Sequence, residues 1–249
     1  MEETKLTLPD GRAIAYRRQP GRGPGVVFLG GFRSDMTGTK ARHLADFCAA
    51  EGRAFLRFDY TGHGASSGDF LDGAIGDWAR DAADAVTALS EGRQIFVGSS
   101  MGGWIALLLA KRMPERFAGL VGIAPAPDFT EDSMWAGFDA AQRAALVADG
   151  RVAVPTDYAD EPYVITRRLI EEGRSQLVLR APLDLPFPTR ILQGTADTDV
   201  DPSVALRLLA HATAPDMALT LVKGADHRFS APADLALITR TVAELLAPF

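Results

Sequence analysis

Apolar and polar positions fall into alternating blocks along most of the chain, and the blocks predict strands and helices in turn. Residues 5–8 and 13–17 flank Pro9-Asp10-Gly11, a turn signal, and read as an N-terminal hairpin. Gly25-Val26-Val27-Phe28-Leu29 is a continuous apolar run, the pattern of a strand buried on both faces. A helix over 39–51 follows, with Leu44, Phe47 and Cys48 at helical spacing and Gly52 at its end. Residues 55–58 form the next predicted strand. Residues 75–89 form an amphipathic helix with Trp78, Ala82 and Val86 on one face. A short strand over 94–97 runs into a helix over 101–111 that is almost wholly apolar and therefore expected near the centre of the molecule. A strand over 120–124 is stopped by Pro125.

The rhythm changes after this point. Residues 128–185 show no clear central strand and carry helical patches at 134–147 and 163–172. Alternation resumes with a strand over 190–193, a helix over 203–212, a strand over 219–222 and a last helix over 234–246. Repeated alternation predicts an α/β fold with a mostly parallel central sheet flanked by helices on both faces. Residues 1–127 and 186–249 form the expected core. The segment 128–185 reads as a mainly helical cap inserted between two core strands, a place from which insertions commonly cover a site.

Charge and cysteine content narrow the partners. The net charge is −6, and no basic block or stripe suggests a nucleic-acid partner. The one cysteine, Cys48, permits no intrachain disulfide and reads as a small buried hydrophobe. The N-terminus is charged with no apolar run behind it, so it is not a signal peptide, and no stretch is long and apolar enough to span a bilayer. These features give the cytoplasm as the expected location.

Gly98-Ser99-Ser100-Met101-Gly102 matches G-x-S-x-G. The pattern is short, and its context carries the reading: an apolar strand enters it and an apolar helix leaves it, as a nucleophile elbow of the α/β-hydrolase fold requires. Gly98, Gly102 and Gly103 supply the missing Cβ atoms that so sharp a turn needs. Ser100 is the expected nucleophile, and Ser99 occupies the variable position. A serine hydroxyl needs an adjacent base. Of the four histidines, His43 and His211 fall within predicted helices. His63 lies in the glycine-rich loop Gly62-His63-Gly64 after a strand, and His227 follows the last strand. The Ser, acid, His order of this fold prefers His227 over His63. The acid is expected after the strand at 190–193, where Asp197 and Asp199 are both in reach; Asp226, next to the base in sequence, is poorly placed to face it. The oxyanion hole is expected from the N–H groups of Met101, at a helix N-terminus, and Phe32, where Gly30 and Gly31 let the backbone approach closely. No H-E-x-x-H, cysteine pair or dinucleotide fingerprint is present, so neither metal nor cofactor is expected.

Gly31-Phe-Arg-Ser-Asp-Met-Thr-Gly-Thr-Lys40-Ala41, Arg57-Phe-Asp-Tyr-Thr-Gly62, Val97-Gly-Ser-Ser-Met-Gly-Gly-Trp104 and Asp226-His-Arg228 stand in order along the chain. Together they resemble the small α/β hydrolases related to the mitochondrial palmitoyl-protein thioesterase that also hydrolyses acyl-glucuronides. The resemblance covers nearly the whole chain. It implies a Ser100, Asp197, His227 triad, a cap over 128–185, and a carboxylic ester or thioester hydrolase. The implied substrate is a small-molecule acyl ester or thioester, or an acylated protein. Gly194-x-x-Asp197-x-x-Val200 matches the acid's common spacing in this fold and leaves Asp199 to cap the next helix or line the loop. Two departures stand out: Gly30 takes a position where many relatives have histidine, and the mitochondrial targeting extension is absent, which suggests a prokaryotic cytoplasmic relative.

Met134, Trp135, Phe138, Leu146, Tyr158, Tyr163 and Leu169 offer apolar surface for an acyl pocket, and most such residues are expected to pack the cap onto the core. Arg151, Arg167, Arg168 and Arg174 are the cap cations that a substrate carboxylate would meet. The rival readings are an acyl-glucuronide esterase, a lactonase or peptidase on the same fold, and a non-catalytic binding scaffold.

Overall fold

The computed structural model describes residues 3–156 and 161–249. In it the apolar blocks become strands β1 Thr4–Thr7, β2 Ala13–Gln19, β3 Arg22–Leu29, β4 Arg53–Phe58, β5 Gln94–Ser99 and β6 Phe117–Ile123, followed after the insertion by β9 Thr189–Gly194 and β10 Met217–Val222. Among the described residues they form one eight-stranded sheet in the order β1-β2-β4-β3-β5-β6-β9-β10. β1 and β2 pair antiparallel, as do β2 and β4; every pairing from β4 to β10 is parallel. The helices are α1 Thr39–Ala50, α2 Ile75–Leu89, α3 Met101–Arg112, α6 Pro202–His211 and α7 Pro232–Leu246.

Strand alternation sorts the core into two layers. On β3, Val27 and Leu29 join Phe96 of β5 in a cluster with α2 and α3, whereas Val26 and Phe28 join Ile95 and Val97 in a cluster with α1 and α7. A sheet sandwiched in this way has both faces apolar, which is why its central strands read as unbroken hydrophobic runs. Helix α3 is buried along nearly its whole length, as its composition predicts. Cys48 is fully buried, and burial pushes its thiol up to about 12, which keeps it in the inert thiol form.

The chain between β6 and β9 carries the departures from the sequence pattern. The single helix expected over 134–147 is instead a π-helical turn, Thr130–Trp135, and α4 Ala140–Asp149. Asp139 caps α4 by accepting from Gln142 N at 2.7 Å, while the Gln142 side chain accepts from Asp139 N at 3.0 Å; this reciprocal pair starts a new helix. The helix expected over 163–172 begins as strand β8 Tyr163–Thr166, paired antiparallel with β7 Arg151–Val154, and only then becomes α5 Arg167–Gly173. Tyr-Val-Ile-Thr is a β-branched and aromatic run, and Thr166 Oγ1 accepts from Leu169 N at 3.1 Å to open the helix. The segment is helical for the most part, with this small separate sheet in addition.

Its two ends are tied together at one buried carboxylate. Asp128 accepts from Val178 N at 2.8 Å, Leu179 N at 3.0 Å and Arg180 Nη1 at 3.1 Å. Leu146, Leu169 and Ile170 pack into the α2–α3 layer, and Trp104 Nε1 of α3 donates to Gln176 O at 3.1 Å. The insertion therefore rests directly on the helix that leaves the elbow.

Candidate active site

β5 ends at Ser99, and Ser100 turns the chain into α3 with φ 55° and ψ −120°. A non-glycine residue in this region costs on the order of 1–3 kcal/mol, so packing on both sides must enforce it. The glycines explain how. A Cβ on Gly98 would lie 2.4 Å from Gly102 O, and one on Gly102 would lie 2.1 Å from Leu29 O and 2.6 Å from Gly30 O. Strand, helix and the loop after β3 meet backbone to backbone. Gly31 has more room: a Cβ there would stand 3.4 Å from Ser100 Cβ, an ordinary van der Waals contact. Ser99 is buried at the strand end, below the turn.

His227, in the turn between β10 and α7, faces Ser100 Oγ through Nε2 at 3.1 Å and Asp197 Oδ2 through Nδ1 at 2.9 Å. A carboxylate oxygen can only accept, so Nδ1 carries the proton and Nε2 presents its lone pair to the hydroxyl. Asp197 is engaged on both oxygens. Oδ1 accepts from Asp199 N at 3.0 Å and Val200 N at 2.8 Å, and Oδ2 also accepts from Gln193 Nε2 at 2.9 Å. Burial works to raise its pKa, but the bonds from His227, Val200 and Gln193 outweigh burial and hold the carboxyl below the ordinary aspartate range. Asp199 lines the cavity, and the cap of α6 is Asp201, which accepts from Ser203 N at 2.8 Å. Asp226 turns away from its neighbour and accepts from Phe229 N at 3.0 Å.

The other histidines lie apart from this series. His43 Nε2 meets Thr239 Oγ1 at 2.7 Å between α1 and α7, and His211 Nε2 meets Ala181 O at 2.9 Å. His63 is buried among Tyr60, Phe70 and Trp78, with ring centroids 5.0–5.5 Å away, and burial drives it down to about 4. It is a neutral packing group in the floor beside the site. Among the described residues Asp197, Asp199 and His227 form a group of potential metal ligands within 4.8 Å, but Nδ1 of His227 and both Asp197 oxygens are already engaged in hydrogen bonds.

Met101 is the first residue of α3, so its N–H is one of the terminal donors with no acceptor inside the helix. The Ser100 N–H is spent on Ile123 O at 2.9 Å. Phe32 follows Gly31 in the loop after β3. That loop is gripped by two buried residues not singled out individually from the sequence. Asp59 Oδ1 accepts from Met36 N at 2.6 Å, and Arg57 Nη1 donates to Met36 O at 2.8 Å. Tyr60 Oη adds a bond to Gly30 O at 3.2 Å. Their signal was the Arg57-Phe-Asp-Tyr run, whose polar members are unexpected at the end of a buried strand.

A cavity of about 770 Å³ opens above Ser100 and His227. Phe32, Phe129, Met134, Phe138, Tyr163 and Ile165 contribute its apolar side, so the segment after β6 forms a wall of it. Of the apolar residues expected there, Met134, Phe138 and Tyr163 line the cavity. Leu146 and Leu169 are buried in the core, Trp135 stacks with Arg143 and Arg174, and Tyr158 lies outside the described residues. The four expected cap cations do not line it: Arg168 pairs with Asp77, Arg174 with Glu131 and Arg167 with Glu171, and Arg151 borders a separate surface hollow. The cations that do line it, Arg33, Lys40 and Arg228, come from core loops and the start of α1.

Similar proteins give the family. The family described as Serine aminopeptidase, S33 matches residues 25–168. The mitochondrial palmitoyl-protein thioesterase ABHD10 of Rattus norvegicus is 34% identical over 97% of this chain and 81% of its own length, and that of Homo sapiens is 32% identical over 97% and 79%. A solved structure from Agrobacterium vitis S4 superposes with a TM-score of 0.94 at 41% identity, covering 98% of each chain. Mouse ABHD10 superposes at 0.93 with 32% identity, covering 100% of this chain and 99% of its own. With its parallel sheet, strand–turn–helix elbow and near full-length relatives, the chain belongs to the α/β-hydrolase family.

Proposed function

We propose that the protein is a serine hydrolase that cleaves carboxylic esters or thioesters with an apolar acyl part through an acyl-enzyme on Ser100. The observation that carries the reading is the hydrogen-bonded series from Asp197 through His227 to Ser100 Oγ, at 2.9 and 3.1 Å. Ser100 Oγ attacks the substrate carbonyl carbon while His227 Nε2 takes its proton. The ionised Asp197 stabilises the imidazolium that results. The N–H groups of Phe32 and Met101 donate to the oxyanion, and the second gains from the N-terminal end of α3. His227 then protonates the departing alkoxide or thiolate. Water, losing a proton to the same nitrogen, attacks the acyl carbon and frees Ser100. Every proton is moved by a side chain of this protein.

The cavity walls support an apolar acyl substrate. Six apolar or aromatic side chains face a volume suited to a medium-sized ligand. The relatives named as palmitoyl-protein thioesterases, and a human monoglyceride lipase 30% identical over 68% of this chain, fit an acyl substrate of this kind. Each methylene desolvated in the apolar part contributes roughly 0.8 kcal/mol, about fourfold in kcat/KM where the contact persists in the transition state. A p-nitrophenyl ester series from acetate upward, run beside matched thioesters, an acyl-glucuronide and a peptide amide, tests the proposal. Turnover is expected to rise with acyl length and fall where the pocket ends. A flat profile would remove the apolar acyl pocket, and efficient amide cleavage with negligible ester turnover would remove the esterase assignment.

A further inference from the structure

Lys40 is out of place by the ordinary rules of helix chemistry. It is the second residue of α1, whose first turn carries no acid and whose N-cap Gly38 makes no side-chain bond. A cation there opposes the helix dipole. It is also half-buried, in the wall of the cavity above Ser100. Its ammonium does not extend into solvent but donates to the main-chain carbonyl of Arg228, 188 residues away. Arg228 is the residue after His227. The turn that holds His227 is tied on its near side by Ala196 N to Ala225 O at 3.0 Å, and at its far side Phe229 is buried with φ 48°. The Lys40 bond falls between these two anchors, beside the imidazole.

We propose that Lys40 is a positioning residue that fixes the His227 turn by its bond to the Arg228 carbonyl and so keeps Nε2 aligned on Ser100 Oγ. The inference rests on the serine-hydrolase reading of the site. The required precision is high, because a displacement of about 1 Å at a catalytic group can cost on the order of 100-fold in rate. A charged donor also makes the stronger bond to a carbonyl. Burial pushes the Lys40 ammonium down to about 8, with Asp226 favouring the charged form and Arg228 opposing it; among the described residues Asp35, Asp199, Arg33, Tyr163 and His227 are the other charged or titratable groups around the cavity. The clamp is therefore fully charged below that value and weakens as pH rises through it.

The test compares wild type, Lys40→Met, Lys40→Arg and Ser100→Ala. The readouts are ester kinetics, the rate of fluorophosphonate labelling from pH 6 to 10, and thermal melting. For Lys40→Met, kcat and the labelling rate are expected to fall roughly 10–100-fold, with KM within about threefold of wild type. Lys40→Arg, which stays charged throughout, is expected to restore kcat to within about threefold and to remove the alkaline fall near pH 8. Lys40→Met with kcat within threefold of wild type would overturn the inference. So would a rise in KM alone, which would make Lys40 a substrate contact, or an unchanged alkaline fall in Lys40→Arg. If Lys40→Met melts below the assay temperature, the arginine variant's pH profile decides alone. Undiminished labelling of Ser100→Ala would defeat the serine-hydrolase reading itself, a different outcome from normal kinetics in Lys40→Met beside an inert Ser100→Ala.

Discussion

The elbow at residues 98–103 and the wall contributed by residues 129–138 and 163–165 border the same cavity, but they are built differently. At the elbow the contacts are backbone to backbone: added Cβ atoms on Gly98 and Gly102 would stand 2.1–2.6 Å from carbonyl oxygens. On the wall, the cavity is met by side chains of Met134, Phe138, Tyr163 and Ile165, carried on a π-helical turn, a loop and a small sheet. A backbone junction leaves almost no room for substitution, whereas apolar side chains can exchange at a cost of about 1–3 kcal/mol or less. On the function proposed above, bond breaking is expected to depend on the core and the choice of acyl group on the wall.

The strongest way to break that division is through the acid. Asp197 receives His227, Gln193 and two backbone N–H groups, whereas Asp199 lines the cavity. Asp197→Asn is expected to lower kcat on the order of 10⁴-fold, the scale set by the loss of a buried acid in a serine protease. Asp199→Asn is expected to change it less than tenfold. Kinetics of the two variants on one short ester check this, and a larger loss in Asp199→Asn would reassign the acid.

A paired substitution sharpens the comparison. Gly102→Ala forces a clash with the loop after β3, so turnover of every ester is expected to fall by a similar factor, at least tenfold. Phe138→Ala opens the apolar wall, so the acyl-length optimum is expected to move by about two carbons or more while acetate turnover stays within threefold. Each variant is run through the same p-nitrophenyl series. A chain-length shift in Gly102→Ala, or a uniform loss in Phe138→Ala, would merge the two roles.

The smallest expected effect lies in the aromatic cluster around His63. His63 is held neutral by burial down to about 4 and titrates at an ordinary 6.5 when unfolded. Between those values the unfolded chain binds more protons, so stability falls as pH falls through this window. The wild type is expected to lose about 2 kcal/mol more than His63→Phe between pH 7 and pH 4.5 in urea unfolding. Buried Asp59 and Asp128, both pushed up by burial, act in the opposite sense and cancel in the difference between the two proteins.

How far the sequence reached follows the same boundary. The helix over 75–89 was legible from its one apolar face, and the helix over 101–112 and the parallel strands because burial on all sides writes continuous apolar runs. Ser100, His227 and Asp197 were legible because motif, chain order and spacing are local properties. The Asp139–Gln142 capping pair and the Tyr-Val-Ile-Thr run were present in the sequence too, but apolar periodicity alone merged them into helices, and the Arg-Val-Ala-Val run between them received no element. Lys40 was visible only as part of a family resemblance, and Gln193 not at all. Their roles rest on contacts across the fold, Lys40 with Arg228 over 188 residues and Gln193 with a carboxylate that itself depends on His227.

Covalent chemistry at Ser100 is the central expectation for this site. Intact-mass measurement after rapid mixing with a slowly deacylating p-nitrophenyl ester, followed by peptide mapping, reads it directly. The expected result is one acyl group on the peptide containing Ser100, appearing with the burst of p-nitrophenol and absent in Ser100→Ala. Ester turnover that persists in Ser100→Ala, or an acyl group mapped to another residue, would contradict it.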